Sequence, residues 1–315
     1  MDVATEDVKH TLKGTHTEPI ISLAFSPDGT LLAQGSKDST ATVIELETEK
    51  VLCRTNEAMY HDHNLISRCG EIYAVGFSAD SRLLLIGSAD GSASLVDARA
   101  GALKHKFENT HERWIRAVGF SPDGKWAVLG CDDHTASVWS VATGERQWQS
   151  DETVHKRGIM AVRFTHDNGG GLARLVLGSA DKTVSVYDAS ELGSSTCKMK
   201  STLFEVDCKH THGTILSMDL SPDGQRVVLG SSDSVVSVVD VQTAAGKKVL
   251  TLHGIHADGI TAVSFSPHGR RIVTGAGSGA STASVHYLPS FQYDQAKAAS
   301  TVCMPSAPRT LLHGS

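Results

Sequence analysis

The sequence lacks the segments that mark membrane, secreted and nucleic-acid-binding proteins. No apolar stretch of about 18 residues occurs in the chain, so no transmembrane helix is predicted. The N-terminal residues Met1–Lys9 are charged and have no apolar core, which is unlike a secretory signal. The net charge of −6 comes from interspersed acidic and basic residues, whereas nucleic-acid binding depends on a basic face. We therefore expect neither a membrane nor a nucleic-acid partner.

The cysteines show no paired spacing of the kind found in disulfide frameworks or zinc sites. The sequence contains six of them, at Cys53, Cys69, Cys131, Cys197, Cys208 and Cys303. In a chain without an export signal they are most simply free thiols. This pattern indicates a reducing location, cytoplasmic or else nuclear.

Motifs of nucleotide-binding and hydrolytic enzymes are also missing. The sequence has no P-loop and no Gly-x-Ser-x-Gly elbow. The glycine-rich stretch Gly275–Gly279 lacks the dinucleotide-binding spacing, and no helix signal follows it, so a turn is the better interpretation. We expect a protein that is not an enzyme and binds no cofactor.

Histidine is abundant, so metal binding has to be weighed. Cys208, His210 and His212 alternate, so on a strand they would share one face and offer three zinc ligands. An outer strand that runs into a loop is the favoured alternative, because an isolated Cys-x-His-x-His lacks the paired spacing of zinc sites. His61-Asp62-His63 is expected in a solvated loop. No metal site is predicted.

What the sequence contains instead is a repeat. Six times an Ile is followed five residues later by Phe or Leu, with a third apolar residue between them. The pairs are Ile20/Phe25, Ile72/Phe77, Ile115/Phe120, Ile159/Phe164, Ile215/Leu220 and Ile260/Phe265, and the residues between are Leu23, Val75, Val118, Val162, Met218 and Val263. Self-similarity at a period of a few tens of residues indicates a repeat architecture. Such a ring offers a binding surface more readily than a catalytic cleft.

Glycine and aspartate recur at fixed distances after these apolar anchors. In five repeats a Gly stands ten residues after the Phe or Leu of the pair, here called the second anchor: Gly35, Gly87, Gly130, Gly230 and Gly275. In the fourth repeat the corresponding Gly178 comes four residues later, because of an insertion at Asp167–Gly171. An Asp follows three residues later at Asp38, Asp90, Asp133, Asp181 and Asp233, whereas the sixth repeat has Ser278. Recurrence at one structural position favours a scaffolding role for these carboxylates over acid–base catalysis.

Each repeat is predicted to form four short antiparallel strands. Short apolar runs that end at Gly are typical of strands, and Ser26-Pro27-Asp28-Gly29 has the composition of a tight reversal. The outer strands are predicted at Val51–Arg54, Leu103–Phe107, Gln147–Gln149, Ser201–Val206 and Lys248–Leu252. Repeated four-stranded units of this kind predict an all-β fold, a β-propeller.

The repeats also resemble a known family. Gly-Ser-x-Asp followed by an aliphatic-aromatic-Asp ending is similar to the WD40 repeat, and the third repeat comes closest, with His111, Asp133 and Val138-Trp139. The likeness covers about residues 8 to 290. The chain departs from the family at the aromatic position, where the other repeats have Ile44, Val96, Tyr187, Val239 and His286. The resemblance is good evidence for the fold, but a shared fold says little about the function.

In the family, the His that opens a repeat bonds the turn Asp. The resemblance therefore implies the structural pairs His16–Asp38, His111–Asp133 and His155–Asp181. Arg68 replaces the His in the second repeat, and the fifth offers only His210 or His212 out of register. A buried Asp without its partner is costly. Repeats two and six are therefore expected to be looser or to use other partners.

Residues 1–290 are predicted to form one propeller domain with six motif-bearing blades. Val8–Gly14 looks like an outer strand that closes the ring. Pro308–Ser315 looks like an outer strand that leads toward a further repeat. Residues 291–315 are therefore either a tail or part of a degenerate seventh blade, and a fragment of a longer chain is a further alternative.

In WD40 proteins the loops that carry the His and the Asp lie on one face, here called the top face. Residues at its channel mouth are those beside each anchor Ile. Those just after it are Ile21, Tyr73, Arg116, Met160, Leu216 and Thr261, and those just before it are Pro19, Glu71, Trp114, Gly158, Thr214 and Gly259. Trp, Arg and Tyr are enriched at interface hot spots. The alternative is that these residues only pack the rim.

A narrower resemblance concerns the second repeat. Its ending Asp97-Ala98-Arg99 is similar to the box by which some WD40 proteins dock on the adaptor of cullin-type ubiquitin ligases, with Val96 in place of the usual aromatic. The simpler interpretation is that Asp97 closes a strand and Arg99 lies in the next turn.

Three functions follow in order of preference. The first is a non-catalytic scaffold that binds proteins or peptides through its top face, as a monomeric propeller within a larger complex. The second is a substrate-receptor subunit of a cullin-type ubiquitin ligase, for which Arg99 would be needed. The third, a metal-binding or enzymatic propeller, would need His210 and His212.

Overall fold

The computed structural model describes residues 12, 14–55, 70–107, 111–166, 172–194, 197, 199, 201–205, 213–241, 248–266, 268–277 and 283–288. The predictions for His61-Asp62-His63, Arg68, Cys69, Asp167–Gly171, Val206, Cys208, His210, His212, Ser278, Cys303 and residues 291–315 lie outside these residues. Within them every regular element is a β-strand, and no helix could span a membrane.

The strands form six antiparallel sheets, each built from one repeat and here called blades one to six. Blade one is β1 (Ile20–Phe25), β2 (Leu31–Ser36), β3 (Ala41–Glu45) and β4 (Lys50–Arg54); blade two is β5 (Ile72–Phe77), β6 (Leu83–Ser88), β7 (Ala93–Asp97) and β8 (Leu103–Phe107). Blade three is β9 (Ile115–Phe120), β10 (Trp126–Cys131), β11 (Ala136–Ser140) and β12 (Arg146–Gln149); blade four is β13 (Ile159–His166), β14 (Leu172–Ser179), β15 (Thr183–Asp188) and β16 (Ser201–Glu205). Blade five is β17 (Ile215–Leu220), β18 (Arg226–Ser231), β19 (Val236–Asp240) and β20 (Lys248–Leu252); blade six is β21 (Ile260–Phe265), β22 (Arg271–Ala276) and β23 (Ala283–Tyr287). The prediction of a six-bladed all-β propeller is confirmed.

The turn between the first two strands of a blade is held by its own side chains. In blade one the Ser26 hydroxyl donates to Asp28 at 2.5 Å and accepts from the backbone N–H of Leu31 at 2.9 Å. Gly29 adopts a φ of 72°, a conformation that costs glycine least. The same Ser–Asp bond recurs in blades three and five. The repeated Ser-Pro-Asp-Gly therefore encodes this hairpin.

Consecutive blades pack through their inner strands, in the order β1, β5, β9, β13, β17 and β21. The repeated Gly of the second strand lies where this packing is closest. A Cβ added at Gly87 would lie 2.5 Å from Cγ2 of Ile115, and one at Gly130 would lie 2.8 Å from Cγ2 of Ile159. Glycine recurs there because the anchor Ile of the following blade occupies the space that a side chain would need.

The predicted outer strands are found within one residue at each end in five blades. Blade six has three strands among the described residues. The predicted ring-closing strand Val8–Gly14 is described only at Leu12 and Gly14, and neither residue lies in a strand. Cys53, Cys131 and Cys197 are free thiols, as expected.

Candidate functional site on the top face

The His111 ring links the turn after β10 to strand β11 of blade three. Its Nδ1 lies 2.8 Å from Asp133 Oδ2, and its Nε2 lies 2.8 Å from the Ser137 hydroxyl. The Ser137 oxygen also accepts a bond of 2.8 Å from Trp139 Nε1. Burial opposes ionisation of Asp133, but the hydrogen bond and charge of His111, with bonds from Thr135, hold the pKa of this carboxyl well below its usual range.

The other two predicted pairs are also brought together, with different geometry. His16 Nδ1 lies 3.0 Å from Asp38 Oδ2, and its Nε2 lies 2.9 Å from the Thr42 hydroxyl. His155 Nδ1 lies 3.5 Å from Asp181 and 2.8 Å from the Thr183 hydroxyl. In blade four Thr183 is therefore the nearer partner of the ring, and this hydroxyl also donates to Asp181.

The turns of the repeats without a predicted His–Asp pair have other hydrogen bonds. Asp90 of blade two accepts from the backbone N–H and the hydroxyl of Ser92, at 2.8 and 2.7 Å. Asp233 of blade five accepts from the Gly213 N–H at 3.2 Å, while its Oδ1 is buried and has no hydrogen-bond partner among the residues that the structure describes. In blade six His256 Nε2 lies 2.8 Å from the Thr274 hydroxyl.

The six predicted rim residues that stand just after the anchor Ile share one backbone feature. In each blade the register between the first two strands shifts immediately after the anchor Ile: Ile72 pairs with Ser88 and Ala74 with Gly87, so Tyr73 has no partner residue. The same shift leaves out Ile21, Arg116, Met160, Leu216 and Thr261. A bulge re-aims the side chain of its extra residue and is common beside functional sites. The sequence period located these positions without revealing the bulge.

Three of the predicted site residues form a stacked cluster across the junction of blades two and three, here called the aromatic cluster (Tyr73, Trp114 and Arg116). The Tyr73 and Trp114 rings are stacked with centroids 5.0 Å apart and planes 13° apart. The Arg116 guanidinium carbon lies 4.8 Å from the Tyr73 centroid and 4.3 Å from the Trp114 centroid. Trp114 is 39% exposed. A cation held against two aromatic rings is attracted by their negative faces, which stabilises the cluster.

Two carboxylates flank the aromatic cluster. Arg116 Nη2 donates to Asp132 at 3.0 Å, and the Tyr73 hydroxyl donates to Glu71 at 2.6 Å. Burial, with this bond and the charge of Glu71, raises the pKa of Tyr73 to about 12, so the phenol keeps its proton. Arg116 Nε is buried without a hydrogen-bond partner among the described residues.

The remaining predicted rim residues do not join this cluster. Ile21, Met160 and Leu216 are half-buried, and Thr261 is exposed. Gly158, just before an anchor, approaches Asp132 so closely that an added Cβ would collide with its carboxylate. The rim therefore combines a charged aromatic sector on blades two and three with a more apolar sector on blades four and five.

Asp97 and Arg99 lie at a turn of blade two, away from the aromatic cluster. Asp97 Oδ1 accepts from the backbone N–H groups of Arg99 and Ala100, at 3.0 and 2.8 Å. Arg99 donates to Glu45 at 3.2 Å and to the Thr30 hydroxyl at 3.3 Å, and its side chain is 55% exposed. Arg99 thus has partners within blade one.

One group of side chains resembles a metal-ligand set. His111, Cys131 and Asp133 bring their ligand atoms within 4.8 Å of one another. Both nitrogens of His111 are engaged in hydrogen bonds, and Cys131 donates to the Arg113 carbonyl at 3.2 Å. Burial raises the pKa of the Cys131 thiol well above its usual range, whereas a metal would need the thiolate. The trio is better explained as a hydrogen-bonded turn.

Comparison with known proteins agrees with this architecture. The family model for WD40, described as WD domain, G-beta repeat, matches residues 6–45, 57–97, 101–140, 204–240 and 246–282. These matches cover more than half of the chain and include the aromatic cluster.

Similar curated proteins cover the chain to different extents. The guanine nucleotide-binding protein subunit beta of Arabidopsis thaliana is 25% identical over 280 residues, which is 84% of this chain and 67% of that protein. Cilia- and flagella-associated protein 52 of Sus scrofa is 22% identical over 241 residues, 66% of this chain and 38% of that protein. WD repeat-containing protein 1 of Mus musculus is 30% identical over 94 residues, 30% of this chain and 14% of that protein. The chain thus matches well under half the length of the last two.

Proposed function

Because the chain belongs to the WD40-repeat family, we propose that it is a non-catalytic scaffold that binds a protein or peptide on its top face. One relative is by its name a subunit of a guanine nucleotide-binding protein, which supports a role within a complex. The recurring aspartates are engaged in the turns of the fold and so are poor candidates for catalysis. With its free thiols, the protein is expected to act in a reducing compartment, cytoplasmic or nuclear.

The aromatic cluster is the observation that carries this proposal. Trp, Tyr and Arg are the residue types that dominate interface energetics, and here the three stack on one another. The cluster is rigid because Asp132 fixes Arg116 and Glu71 fixes Tyr73. Arg116 Nε is buried and has no hydrogen-bond partner in the described part of the chain, so it is a donor that a bound partner could satisfy.

The rim also indicates what kind of partner fits. The exposed Trp114 ring offers an apolar and aromatic surface, while Met160 and Leu216 are half-buried at the equivalent positions of blades four and five. The Arg116 charge is already compensated by Asp132, so a strongly acidic ligand is not required. A protein segment that presents an apolar or aromatic side chain is therefore the best match.

The test compares partner recovery by the unsubstituted protein with recovery by Trp114→Ala/Arg116→Ala, followed by binding measurements on any recovered partner by calorimetry. We expect the double variant to lose the partner, with an affinity loss of at least about tenfold for Trp114→Ala alone. Circular dichroism must show that the β-fold is retained.

Arg99→Ala is the matched control, since it removes an arginine that is exposed and distant from the aromatic cluster. Unchanged binding by Arg99→Ala with loss by Trp114→Ala supports the top face. If both variants bind like the unsubstituted protein, the top-face proposal is wrong. Loss caused by Arg99→Ala alone would instead support the ligase-adaptor function.

A further inference from the structure

The top-face loops that lead into the inner strands differ in charge from blade to blade. Two residues before the anchor Ile, blade one has Glu18 and blade six has Asp258. Blades three and four have Arg113 and Arg157 at the same position. One structural position therefore carries opposite charges on different sectors of the top face.

The backbone fixes both arginines in the same way. The Arg113 carbonyl accepts from the Cys131 thiol at 3.2 Å, and the Arg157 carbonyl accepts from the Ser179 hydroxyl at 3.0 Å. The corresponding carbonyl of blade one is held by a hydroxyl in the same manner. Both loops are thus tied to their own blade, and both arginine side chains are exposed.

Two lysines of blade four extend this positive charge. Lys156 is exposed, and its backbone N–H donates to Asp181 at 2.7 Å. Lys182 follows Asp181 in the next turn and is half-buried. These four residues are here called the basic patch (Arg113, Lys156, Arg157 and Lys182). Among the residues that the structure describes, none of the four side chains forms an ion pair.

The carboxylates closest to the basic patch are engaged elsewhere. Asp132 accepts from Arg116 at 3.0 Å, and Asp133 lies 2.8 Å from the His111 ring. The exposed acids of the same two loops, Glu112, Asp151 and Glu152, stand farther from the inner strands along the chain than the arginines do. The positive charge of the patch is therefore not neutralised on the side of the channel mouth.

The basic patch adjoins the aromatic cluster. Arg113 directly precedes Trp114, whose carbonyl accepts from the Asp132 N–H at 2.9 Å. Gly158, which directly follows Arg157, lies so close to Asp132 that an added Cβ would collide with its carboxylate. Both arginine loops therefore meet at Asp132, beside the ring that is available to a ligand.

We propose that the partner segment bound by the top face is an acidic peptide. An apolar or aromatic residue of the segment packs on the aromatic cluster, and neighbouring Asp or Glu side chains bind the basic patch. This proposal rests on the proposed function, since it uses the same binding face. Complementary charge adds specificity and a faster association, while the aromatic cluster supplies most of the affinity. Basic segments are rejected because like charges repel.

The distribution of charge favours a short peptide over a nucleic acid. A nucleic acid carries charge along its whole backbone and needs an extended basic face. The basic patch is confined to blades three and four, while Glu18 and Asp258 occupy the equivalent positions of blades one and six, and the net charge is −6. A peptide can place a few carboxylates over two blades without approaching these acids.

The test begins with a random peptide library displayed on phage and selected on the full chain. We expect the selected sequences to contain an apolar or aromatic residue with Asp or Glu beside it. One selected peptide is then titrated by fluorescence anisotropy, together with a copy in which Asn and Gln replace its Asp and Glu. The copy should bind at least about tenfold more weakly. Added salt should weaken the acidic peptide much more than the copy, because salt screens exposed charges.

Charge reversal locates the contact. Arg113→Glu/Arg157→Glu should weaken the acidic peptide at least about tenfold and the uncharged copy less than about twofold. Lys104→Glu/Lys125→Glu is the matched control, since it changes the net charge equally, on the outer strand of blade two and on the turn of blade three opposite to the Asp133 turn. Circular dichroism checks the fold, and Arg113→Gln/Arg157→Gln replaces the reversed pair if that pair does not fold.

The remaining outcomes separate this proposal from the proposed function. Peptides that need Trp114 but have no acidic residues, and bind the arginine variants normally, would overturn the acidic partner and leave the proposed function standing. A selection that yields no peptide dependent on Trp114 would overturn both. Equal weakening by the arginine and lysine pairs would overturn the basic patch as the contact. A single-stranded RNA oligonucleotide that displaces the peptide at equal concentration would show that the surface binds nucleic acid instead.

Discussion

At the scale of single residues, the His–Asp pairs stabilise turns by charge as well as by hydrogen bonding. Burial alone would raise the pKa of Asp38, but bonds from Thr40, the Thr17 N–H and His16 lower it to about 2, compared with 3.8 when unperturbed. A carboxyl whose pKa is lowered on folding stabilises the fold above its unfolded pKa, and the effect is lost as the pH falls through the folded pKa. We predict that Asp38→Asn lowers the free energy of unfolding by roughly 2 kcal/mol at pH 7.

The pH dependence distinguishes this effect from a general loss of packing. The difference between the two proteins should be constant from pH 7 to about pH 5 and should fall to about half by pH 3. Denaturant unfolding at each pH measures it. Glu47→Gln removes an acid from the exposed turn after β3 and is the control. An Asp38→Asn difference that does not change with pH would contradict the electrostatic origin.

At the scale of elements, the spacing of the blades depends on glycines that accept the next anchor. We predict that Gly87→Ala lowers the free energy of unfolding by about 1–3 kcal/mol, because the new Cβ would lie 2.5 Å from Ile115 Cγ2 and 3.0 Å from its Cβ. Thermal or denaturant unfolding gives the value. Combining Gly87→Ala with Ile115→Ala should cost less than the sum of the two single changes.

Gly76→Ala is the matched control in the same blade. Its added Cβ would be 3.5 Å from Val118 Cγ2, an ordinary contact, so the change should be much better tolerated. Equal destabilisation by Gly76→Ala and Gly87→Ala would show that strand glycines matter for another reason than the approach of Ile115.

The strands could be predicted from the sequence, since anchors, turns and glycines recur at fixed distances. Contacts between blades could not be predicted in this way. The stacking of Tyr73 on Trp114 joins residues about forty positions apart, and it depends on how bulges in β5 and β9 turn the side chains. The sequence also could not predict that Thr183 lies nearer to His155 Nδ1 than Asp181 does. Asp181 has the same spacing as the Asp of the other repeats, but its side chain lies farther from the His ring.

At the scale of the whole molecule, a propeller is stable only if each blade is covered on both sides, because each sheet is apolar on both faces. Blades two to five meet this requirement, and the outward faces of blades one and six do not. Exposed apolar surface of this kind favours association or closure by another segment.

Paired substitutions of anchor residues measure whether the exposed face of blade one is covered in solution. Ile159 is fully buried between blades three and four, so Ile159→Ala should lower the free energy of unfolding by about 2–5 kcal/mol. Ile20 is 41% exposed to solvent, so Ile20→Ala should cost much less than Ile159→Ala unless another segment or a second copy of the chain covers blade one. Denaturant unfolding of both variants at equal protein concentration gives the comparison.

A cost for Ile20→Ala below about 0.5 kcal/mol, the value typical of a surface position, would mean that the face remains uncovered. A cost that rises with protein concentration would instead indicate that a second copy of the chain covers it, because only an intermolecular contact depends on concentration.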